Sequence, residues 1–474
     1  MEQAPRRKTT IIPRVLHALL ASGGRPLDLR DLAAISGASR RSITSVVGAL
    51  VGQEIVARDP LRFGAGLLVL SIAAGRETVR GALVDANGVC HHGLELEPDS
   101  QQLGSTREPA PPTVLLDRIR EVVFRVLAAA TADPSLVDES GRLRIIETTI
   151  AWPTAIDRHQ RAFGHVLRHA EWQRDPLGSI TSKTLPAPLV GPGNVDHINN
   201  ANAAALGACF DIARARAGEP PGAHSEMMIT LRVGDGIGAG TIKLPPHTNS
   251  RLAFIDSRLI AGSGGLAGEL GHLPISNSIV AMVNARRGSL AAISSGAQCS
   301  CGQRGHLESL AGARALVRRL ELSGYDLDEQ AAVRTQIDAA LAQAVHASSE
   351  DELAAAEGLT RALEDTGRLL GRALASPILM LNPARIVLSG YLARHDVVRG
   401  IEMEAAAWST GVTNNVLIES VSGSRNDFAD VRGAALAVFR RRFFRQFDNL
   451  AADPAWWSTL TVGVAEDDLA DISG

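Results

Sequence analysis

The sequence predicts an α/β protein that carries a small helical unit at its N-terminus. Apolar residues at helical spacing, followed by two strand-like segments, occupy residues 1–64. From Leu67 onward, apolar strand patterns alternate with amphipathic helix patterns, which is typical of α/β domains. The chain has 474 residues, of which 45% are hydrophobic and 21% charged, so it is long enough for two or three domains with buried cores.

The N-terminal unit contains three predicted helices. TIIPRVLHALLAS ends at a Gly-Gly pair, LRDLAAIS follows with Asp28 as its N-cap, and RRSITSVVGALVGQ follows with Ser39 as its N-cap. The segments EIVARD and LRFGAG come next and have the character of strands. This order predicts a winged helix-turn-helix, in which the third helix enters the major groove of DNA.

The charge of this unit favours the same interpretation. Residues 1–62 hold ten Arg or Lys against five Asp or Glu, whereas the whole chain has a net charge of −3. A basic segment joined to an acidic remainder is typical of nucleic-acid binding at one end of a chain. A helical docking domain with a solvated basic face is the alternative. The predicted contacts to bases and phosphates, in the third helix and the wing, are Ser39, Arg40, Arg41, Ser42, Thr44, Arg58 and Arg62.

The remainder is predicted to contain two α/β units. Strands are expected at LLVLSIAAG, TVRGALVDANG, VCHHGLELE and RLRIIETTIAWP, with an amphipathic helix at residues 113–130. A second unit opens at VDHINNANAAALGACF, and MMITLRVGDGIGAGTIKL reads as two strands joined by a Gly-rich turn. The expected boundaries are residues 65–190 and 191–447, followed by an acidic tail, residues 448–474, that we expect to be partly disordered.

Membrane and disulfide signals are weak in this sequence. No run of about 18 apolar residues occurs, and the N-terminus lacks the apolar core of a secretory signal. Two of the four cysteines are clustered as C-x-C, which fits metal ligation in a reducing compartment better than a disulfide framework. We therefore expect a cytoplasmic protein, with Cys90 and Cys209 as buried thiols.

The stretch from Gly262 to Glu308 holds a predicted metal site. Cys299, Cys301 and His306 are closely spaced, and His272 lies upstream of them. Two thiolates and two imidazoles would give zinc the four N/S ligands of a closed tetrahedral site. The alternative is a metal-free loop with an exposed His306. A spacer of 26 residues separates His272 from Cys299, so His272 lies outside the closely spaced Cys-His trio in the sequence.

Several motifs of the chain together resemble the ROK family of repressors, open reading frames and sugar kinases. NNANAAALG, GDGIGAGTI, GLAGELGH, CSCGQRGHLE, LNPARIVLSG and VRGAALAV follow in the order found there, over roughly residues 67–440. The resemblance implies two actin-like (ribonuclease H-like) lobes with a sugar cleft between them, and commonly a homodimer or a dimer of dimers. A helix-turn-helix ahead of this domain is the arrangement of the family's repressors.

The resemblance also implies functional residues. The family's zinc ligands, a histidine and three cysteines, fall on His272, Cys299, Cys301 and His306, with histidine replacing the last cysteine. Its sugar-binding residues fall on Asn199, Asn200, Glu269, His272 and Glu308. Carboxylates and amides suit sugar hydroxyls. In the alternative interpretation Asn199 caps the following helix and Glu308 belongs to a capping or surface pair.

The resemblance further predicts the loss of kinase activity. The family's catalytic base is the Asp of N-D-x-N, and Asn200 replaces it with an amide that cannot take a proton. In the first phosphate loop, Ala73 or Ser71 stands at the place of the acid, and Arg76 and Glu77 replace a Gly-Thr pair. The second glycine-rich loop, residues 234–240, is retained. We therefore expect no phosphoryl transfer and no bound ATP.

The sequence thus predicts a transcriptional regulator, a repressor, whose degenerate sugar-kinase domain senses a sugar or related metabolite. A twofold dimer would bind an operator with an inverted repeat. One alternative is an active sugar kinase with a relocated base, for which Asp196 is the candidate. Another is a regulator that no longer senses sugar, because Trp152-Pro153-Thr154 and the insert at residues 273–298 depart from the family's pattern.

Overall fold

A computed structural model gives the conformation of most of the chain. The described residues are 11–22, 27–53, 55–58, 61–64, 66–75, 78–97, 112–157, 162–163, 177, 183–190, 194–215, 224–245, 251–285, 291–323, 325, 327, 331–408, 416–420, 428–447 and 460–472. Within these residues, no helix is both long enough and apolar enough to cross a membrane.

The N-terminal unit has the predicted elements. Its helices are α1 (Ile11–Ala21), α2 (Leu29–Ser36) and α3 (Arg40–Gly52), and β1 (Val56–Ala57) pairs antiparallel with β2 (Arg62–Phe63). Asp28 begins α2 with a capping box, and Gly37 ends it in the left-handed conformation at φ 65°. The Ser39 hydroxyl accepts the Ser42 N–H at the start of α3. The local capping signals in the sequence were therefore sufficient to locate α2 and α3, whereas the Gly-Gly stop expected after α1 lies outside the described residues.

The first large sheet has the strand order β15-β6-β3-β4-β5, in which β15 is Val462–Val464, and β9 pairs parallel with the second half of β6. Strands β3 to β5 form an antiparallel meander, and β3 pairs parallel with β6. Helix α4 packs on this sheet, and a two-stranded hairpin of β7 and β8 follows β6. The bounds are β3 Leu68–Ala74, β4 Val79–Asp85, β5 Cys90–Leu96, α4 Pro112–Thr131, β6 Leu143–Trp152, β7 Ile156–Asp157, β8 Ala162–Phe163 and β9 Val195–Asn199.

The second large sheet repeats this pattern. Its order is β12-β11-β10-β13-β14, again with an antiparallel meander followed by two parallel strands. The bounds are β10 Glu226–Val233, β11 Ile237–Leu244, β12 Arg258–Leu259, β13 Arg385–Ser389 and β14 Leu417–Ser420. The two lobes are therefore two copies of one topology, β5-β4-β3-β6-β9 and β12-β11-β10-β13-β14.

Two equivalent helices cross between the lobes. Helix α5 (Asn200–Ala215) follows β9, and α13 (Ala429–Arg442) follows β14. Gly207 and Gly433 lie at their crossing, where an added Cβ at Gly433 would fall 1.8 Å from the Ala203 carbonyl oxygen. No side chain fits in that space, so the two glycines let the helix backbones come together. Helix α5 also contacts β10 and β11, whereas α13 contacts β3 and β6.

The remaining helices surround the second sheet. The long helix α11 begins with a capping box of Ser349 and Glu352 and ends at Asn382, which has φ 43°. The bounds are α6 Arg251–Asp256, α7 Asn277–Ala285, α8 Leu307–Ala311, α9 Ala313–Leu322, α10 Val333–Val345, α11 Glu350–Leu381 and α12 His395–Trp408.

Two boundaries differ from the sequence-based expectation. Strand β9 was assigned to the second unit, but it pairs with β6 and completes the first sheet. The segment 460–472, within the expected disordered tail, forms β15 (Val462–Val464) and a 3-10 helix (Glu466–Ile472). Val464 and Leu469 are buried in the first lobe. The acidic composition of the tail gave no indication that Val464 and Leu469 would be buried. A disordered segment lacks such buried apolar side chains.

Candidate metal and ligand site

The site is built where a loop of the second lobe folds back on the start of β11. Ile275 N donates to Gly305 O (2.9 Å) and Leu307 N donates to Leu273 O (2.9 Å), so the start of the 26-residue spacer is held against the segment that follows the two cysteines. Helix α7 occupies part of the spacer. The spacer therefore leaves the site and returns to it, which is why its length does not separate His272 from the cysteines.

A tight turn presents the cysteine pair. Cys299 N donates to Gln303 O (2.7 Å), and Gly302 N donates to Cys299 O (2.9 Å). Gly302 and Gly305 have φ values of 93° and 71°. Such left-handed positions favour glycine, so the C-x-C-G-x-x-G spacing fixes a turn as well as a set of ligands.

The structure brings the four predicted metal ligands together. The ligand atoms of His272, Cys299, Cys301 and His306 all lie within 4.8 Å of one another. The Cys299 sulfur is 3.5 Å from His272 Nδ1, and the Cys301 sulfur is 3.2 Å from His306 Nδ1. The two imidazole rings meet edge to face, with centroids 5.5 Å apart.

This donor set fits a tetrahedral metal. Zn–N bonds of about 2.0–2.1 Å and Zn–S bonds of about 2.3 Å place the ligand atoms of a tetrahedral site roughly 3.3–3.8 Å apart. The 3.5 Å distance between Cys299 and His272 lies in that range, and the 3.2 Å distance between Cys301 and His306 lies just below it. Two sulfurs and two imidazole nitrogens form a closed, structural type of site. The cluster is therefore compatible with zinc.

The surroundings of Cys299 favour a cation. Burial, with a contribution from the Glu308 carboxylate, raises the pKa of the Cys299 thiol to about 12. A thiol in these surroundings would remain protonated at neutral pH. A bound cation reverses that preference, because a coordinated thiol is deprotonated.

Glu308 connects the metal cluster to the start of β11. Its Oε1 accepts the Ser300 hydroxyl at 2.8 Å and lies 3.7 Å from the Cys299 sulfur, while Oε2 accepts the Ile237 N–H at 3.4 Å. Its residue is only 7% exposed. The alternative of a surface pair does not hold, because this carboxylate is buried and bound by the site itself.

His272 faces two neighbours through its two nitrogens. Nδ1 lies toward Cys299, and Nε2 is 3.7 Å from Glu269 Oε2. A metal-bound histidine commonly orients its second nitrogen through a carboxylate. Glu269 therefore can orient His272 and also present its other oxygen to a ligand. Gly268 packs so closely on Ala239 that an added Cβ would be 1.9 Å from the Ala239 carbonyl oxygen, which keeps this loop on β11.

The structure uses Asn199 as a helix cap. Its Oδ1 accepts the N–H groups of Ala201 (2.9 Å) and Asn202 (3.1 Å), and its Nδ2 donates to Thr154 O (3.0 Å). This is the alternative noted from the sequence. Asn200 is the first residue of α5 and is 8% exposed. The next residue, Ala201, packs on Gly238 of β11, so the start of α5 adjoins the strand that contacts Glu308.

Asp196 of β9 belongs to a cluster of ion pairs formed with arginines of α13. Its Oδ2 is 3.4 Å from Arg441 Nη2, and Arg441 also pairs with Glu147. Glu147 further pairs with Arg442 at 3.2 Å. Burial raises the pKa of Glu147 to about 7 against the opposing effect of these arginines. Asp196 is therefore engaged with the C-terminal end of α13.

The first phosphate loop contains no acid among its described residues. Ser71 is buried and its hydroxyl donates to Val431 O at 2.7 Å, and Ala73 offers no polar atom. Arg76 and Glu77 lie outside the described residues. In the second loop, the Tyr391 hydroxyl donates to Asp235.

The sequence-based reasoning missed an ionic link between the lobes. Asp430, at the start of α13 and 2% exposed, pairs with Arg80 of the first sheet and with Arg232 of the second sheet. It also missed Ser300, which holds Glu308. The position of Ser300 between the two cysteines could have indicated its role. Asp430 gave no signal, because its partners lie 350 and 198 residues away in the sequence.

The predicted DNA contacts share one end of α3 and the β1–β2 hairpin. Arg40, Arg41, Thr44 and Arg58 are exposed, Ser39 is an exposed N-cap and Ser42 is half-buried. The opposite face of α3 is buried through Ile43, Val46, Val47 and Leu50.

The chain is similar to known proteins over most of its length. A sequence model of the ROK family matches residues 69–441. The chain is 22% identical to the xylose repressor of Bacillus spizizenii over 77% of this chain and 78% of the repressor. It is 25% identical to a glucokinase of Halalkalibacterium halodurans over 47% of this chain, and the match spans only 54% of that glucokinase.

A solved structure shares the fold over nearly the whole chain. The crystal structure of a ROK family transcriptional regulator, a homolog of the E. coli MLC protein, aligns with a TM-score of 0.53 and 19% identity. The alignment covers 94% of this chain and 98% of that one. The two lobes thus have the actin-like sugar-kinase fold. Both repressors and kinases occur among the relatives, so the activity has to be argued from the residues of the site.

Proposed function

The chain belongs to the ROK family, and we propose that it is a DNA-binding transcriptional repressor whose kinase-like domain senses a sugar or a related small metabolite. The observation that carries this proposal is the exposed basic end of α3. Arg40 and Arg41 point away from the core, with Thr44 one turn further along and the Ser39 cap before them. In a winged helix-turn-helix, this end of the third helix meets the base edges and phosphates.

The ligand would bind between the start of α5, the start of β11 and the metal-held loop. Glu269, His272 and Glu308 are the proposed partners of the ligand's hydroxyl groups, with Asn200 beside them. Glu308 is held by Ser300 and Ile237, so its carboxylate is pre-oriented. A site built from oriented hydrogen-bonding groups favours ligands with matching hydroxyls. Because Asn199 is engaged in capping α5, we propose only an indirect role for it.

The metal would be structural. His272, Cys299, Cys301 and His306 would hold zinc and leave no open coordination position. When bound, zinc would supply a fixed charge that keeps the loop closed. Ser300 and Glu308 belong to the same loop, so loop closure orients the proposed ligand contacts.

Phosphoryl transfer is not part of the proposal, because neither of the two candidate residues, Asn200 and Asp196, is suited to act as the base. Asn200 cannot accept a proton, and the carboxylate of Asp196 pairs with Arg441. The first loop also lacks an acid at Ser71 and Ala73 for magnesium.

DNA binding would respond to the ligand through α13. Its first residues link both sheets through Asp430, and the segment after it packs on the N-terminal unit. Phe63 of β2 packs edge to face with Phe443, with ring centroids 5.6 Å apart. A ligand that favours one arrangement of the two lobes would therefore favour one position of the N-terminal unit. In a twofold dimer, this would change the affinity for an operator with an inverted repeat.

Gel shifts on the DNA upstream of the protein's own gene, at a stated salt concentration, test the DNA-binding role. The double change Arg40→Ala and Arg41→Ala should lower specific affinity by about tenfold or more, since each base contact contributes roughly 1–3 kcal/mol. The matched control, Arg361→Ala and Arg399→Ala, removes the same charge from exposed helices of the second lobe. Equal loss in both double variants would contradict a specific role for α3.

Calorimetric titration with hexoses, pentoses and amino sugars tests the sensing role. Binding of one of them, weakened by Glu269→Gln, would support a sugar effector. If none of these sugars binds, the proposal that the regulator senses a sugar is refuted. ATP turnover with the same sugars tests the kinase alternative, and turnover abolished by Asp196→Asn would establish the relocated base.

A further inference from the structure

A cavity lies where the N-terminal unit meets the second lobe. It has a volume of about 780 Å³, within the range of about 300–1,000 Å³ that is usual for small-molecule sites. One wall is His17 of α1, another is the edge formed by β11, α6 and β12, and the floor is the segment that follows α13. It is separate from the metal and ligand site, because none of the residues of that site lines it.

The cavity has an excess of positive charge. Lys243, Arg258 and Arg445 line it, and Asp256 is the one acidic residue among its described lining residues. Lys243 and Arg258 are exposed, and neither forms an ion pair with any residue that the structure describes. Arg445 donates one N–H to Ile255 O at 2.8 Å, which fixes its guanidinium at the floor.

Two of these cations are direct cross-strand partners. Lys243 of β11 lies opposite Arg258 of β12 in the antiparallel register. Like charges placed opposite each other destabilise a strand pair. A bound anion would remove this repulsion, so the edge of the sheet is better suited to the occupied state than to the empty one.

Two aromatic rings lie at the floor of the cavity. Phe444 and Phe447 are each 1% exposed, and Phe447 meets His17 edge to face with ring centroids 5.0 Å apart. Both sides of the contact between the N-terminal unit and the lobe thus border the cavity. A molecule that carries an anionic group and an apolar portion matches this combination of cations and rings.

We propose that this cavity is a second effector site, which binds a small phosphorylated or carboxylated molecule between the pair Lys243–Arg258 and the Arg445 side chain. The occupant would contact the lobe and α1 together. Its binding would therefore favour one position of the N-terminal unit, independently of the ligand in the first site.

Calorimetry on the full chain at low, constant ionic strength tests the site with three probes, namely phenyl phosphate, inorganic phosphate and phenol. Phenyl phosphate should bind most tightly, inorganic phosphate more weakly, and phenol not measurably. The double change Lys243→Gln and Arg258→Gln should weaken phenyl phosphate binding by about tenfold or more, because both charge-assisted contacts are lost. Arg361→Gln with Arg399→Gln is the matched charge control and should change the affinity less than about twofold.

Three outcomes would overturn the proposal. They are the absence of phenyl phosphate binding at millimolar concentration, equal binding of phenol, and an equal loss in the control variant. Thermal unfolding without probe separates a binding defect from a folding defect. The Lys243→Gln and Arg258→Gln variant should unfold at the same or a higher temperature, since it lacks the cross-strand repulsion. A lower unfolding temperature would contradict the charge argument.

The regulatory part rests on the proposed function and has its own readout. In the gel shift, phenyl phosphate should change operator affinity for the original chain and not for the Lys243→Gln and Arg258→Gln variant. Calorimetric binding without DNA binding by any variant would refute the repressor function but leave the cavity as a site. If the probe binds but operator affinity does not change, only the coupling between the cavity and DNA binding would be refuted.

Discussion

The sulfur of Cys299 lies 3.7 Å from a carboxylate oxygen of Glu308. The residue proposed to hold the metal therefore contacts the residue proposed to bind the ligand. Ser300, between the two cysteines, donates to the same carboxylate. Loss of the metal should consequently reduce ligand binding as well as stability, which links the first two predictions.

The purified chain should contain about one zinc ion, and Cys299→Ser or His306→Ala should remove it. Each variant should also unfold at a lower temperature, because metal binding to a structural site contributes to folding. Elemental analysis and thermal unfolding are the measurements. Cys90→Ser is the control, since this cysteine lies outside the cluster. Full zinc content in His306→Ala would show that the other three residues hold the metal without His306.

Glu308→Gln should weaken the effector found in the sugar panel by roughly tenfold or more, since a hydrogen bond to a charged group contributes about 1.5–3 kcal/mol. Zinc content should be unchanged, because the carboxylate is not one of the four ligands. Calorimetry with parallel metal analysis checks both statements. Unchanged sugar affinity would show that Glu308 only supports the loop.

Asp430→Asn should lower the free energy of unfolding by about 3–5 kcal/mol, because removing one member of a buried ion pair leaves the others uncompensated. Arg80 and Arg232 would keep their charges between the two sheets. Urea unfolding followed by circular dichroism measures the change. Glu357→Gln removes an exposed partner of Arg361 and should cost at most about 1 kcal/mol. Similar costs for the two variants would disprove the special role of the link.

Phe63→Ala should loosen the N-terminal unit from the lobes, at a cost of about 3–5 kcal/mol for a large buried ring. Phe63 contacts Phe443, Phe444 and Phe447. Limited proteolysis should release residues 1–64 earlier than from the original chain. Phe124→Ala, a half-buried ring on α4, should leave that cleavage rate unchanged.

The start of α11 should make stability dependent on pH. Hydrogen bonds from Ser349 and Ser348 lower the pKa of Glu352 to about 2 from its usual 4.5. The folded state thus favours the ionised form, so this stabilisation is complete above pH 4.5 and is lost as the pH falls toward 2. The unfolding temperature of the original chain should exceed that of Glu352→Gln at pH 7, and the difference should shrink at pH 4. A constant difference would contradict the shift.

Local signals allowed much of this molecule to be predicted. The caps Asp28 and Ser39, the stop at Gly37 and the strand ending before Pro153 are encoded by neighbouring residues, and the structure has them where expected. The metal cluster was predictable because zinc chemistry limits the ligands to few residue types. His272 was included through the resemblance to the family, and the backbone bonds of Ile275 and Leu307 explain how it reaches the cysteines across the spacer.

Other features depend on distant partners and could not be read from the sequence. The strand β9 has the same local pattern whether it opens the second lobe or completes the first one. The role of Asn199 was ambiguous, because an amide before a helix can cap it or bind a ligand. The ion pairs of Asp430 and Asp196 join residues that approach only after both lobes have folded.

The pairing of β15 with β6 has a consequence for the order of folding during synthesis. Val462 pairs with Ile145, and Val464 pairs with Leu143, across more than 300 residues of sequence. The first half of β6 therefore presents an unpaired edge while the second lobe is being translated. Such an edge can recruit other strands. A nascent chain of this protein would expose that edge until β15 emerges.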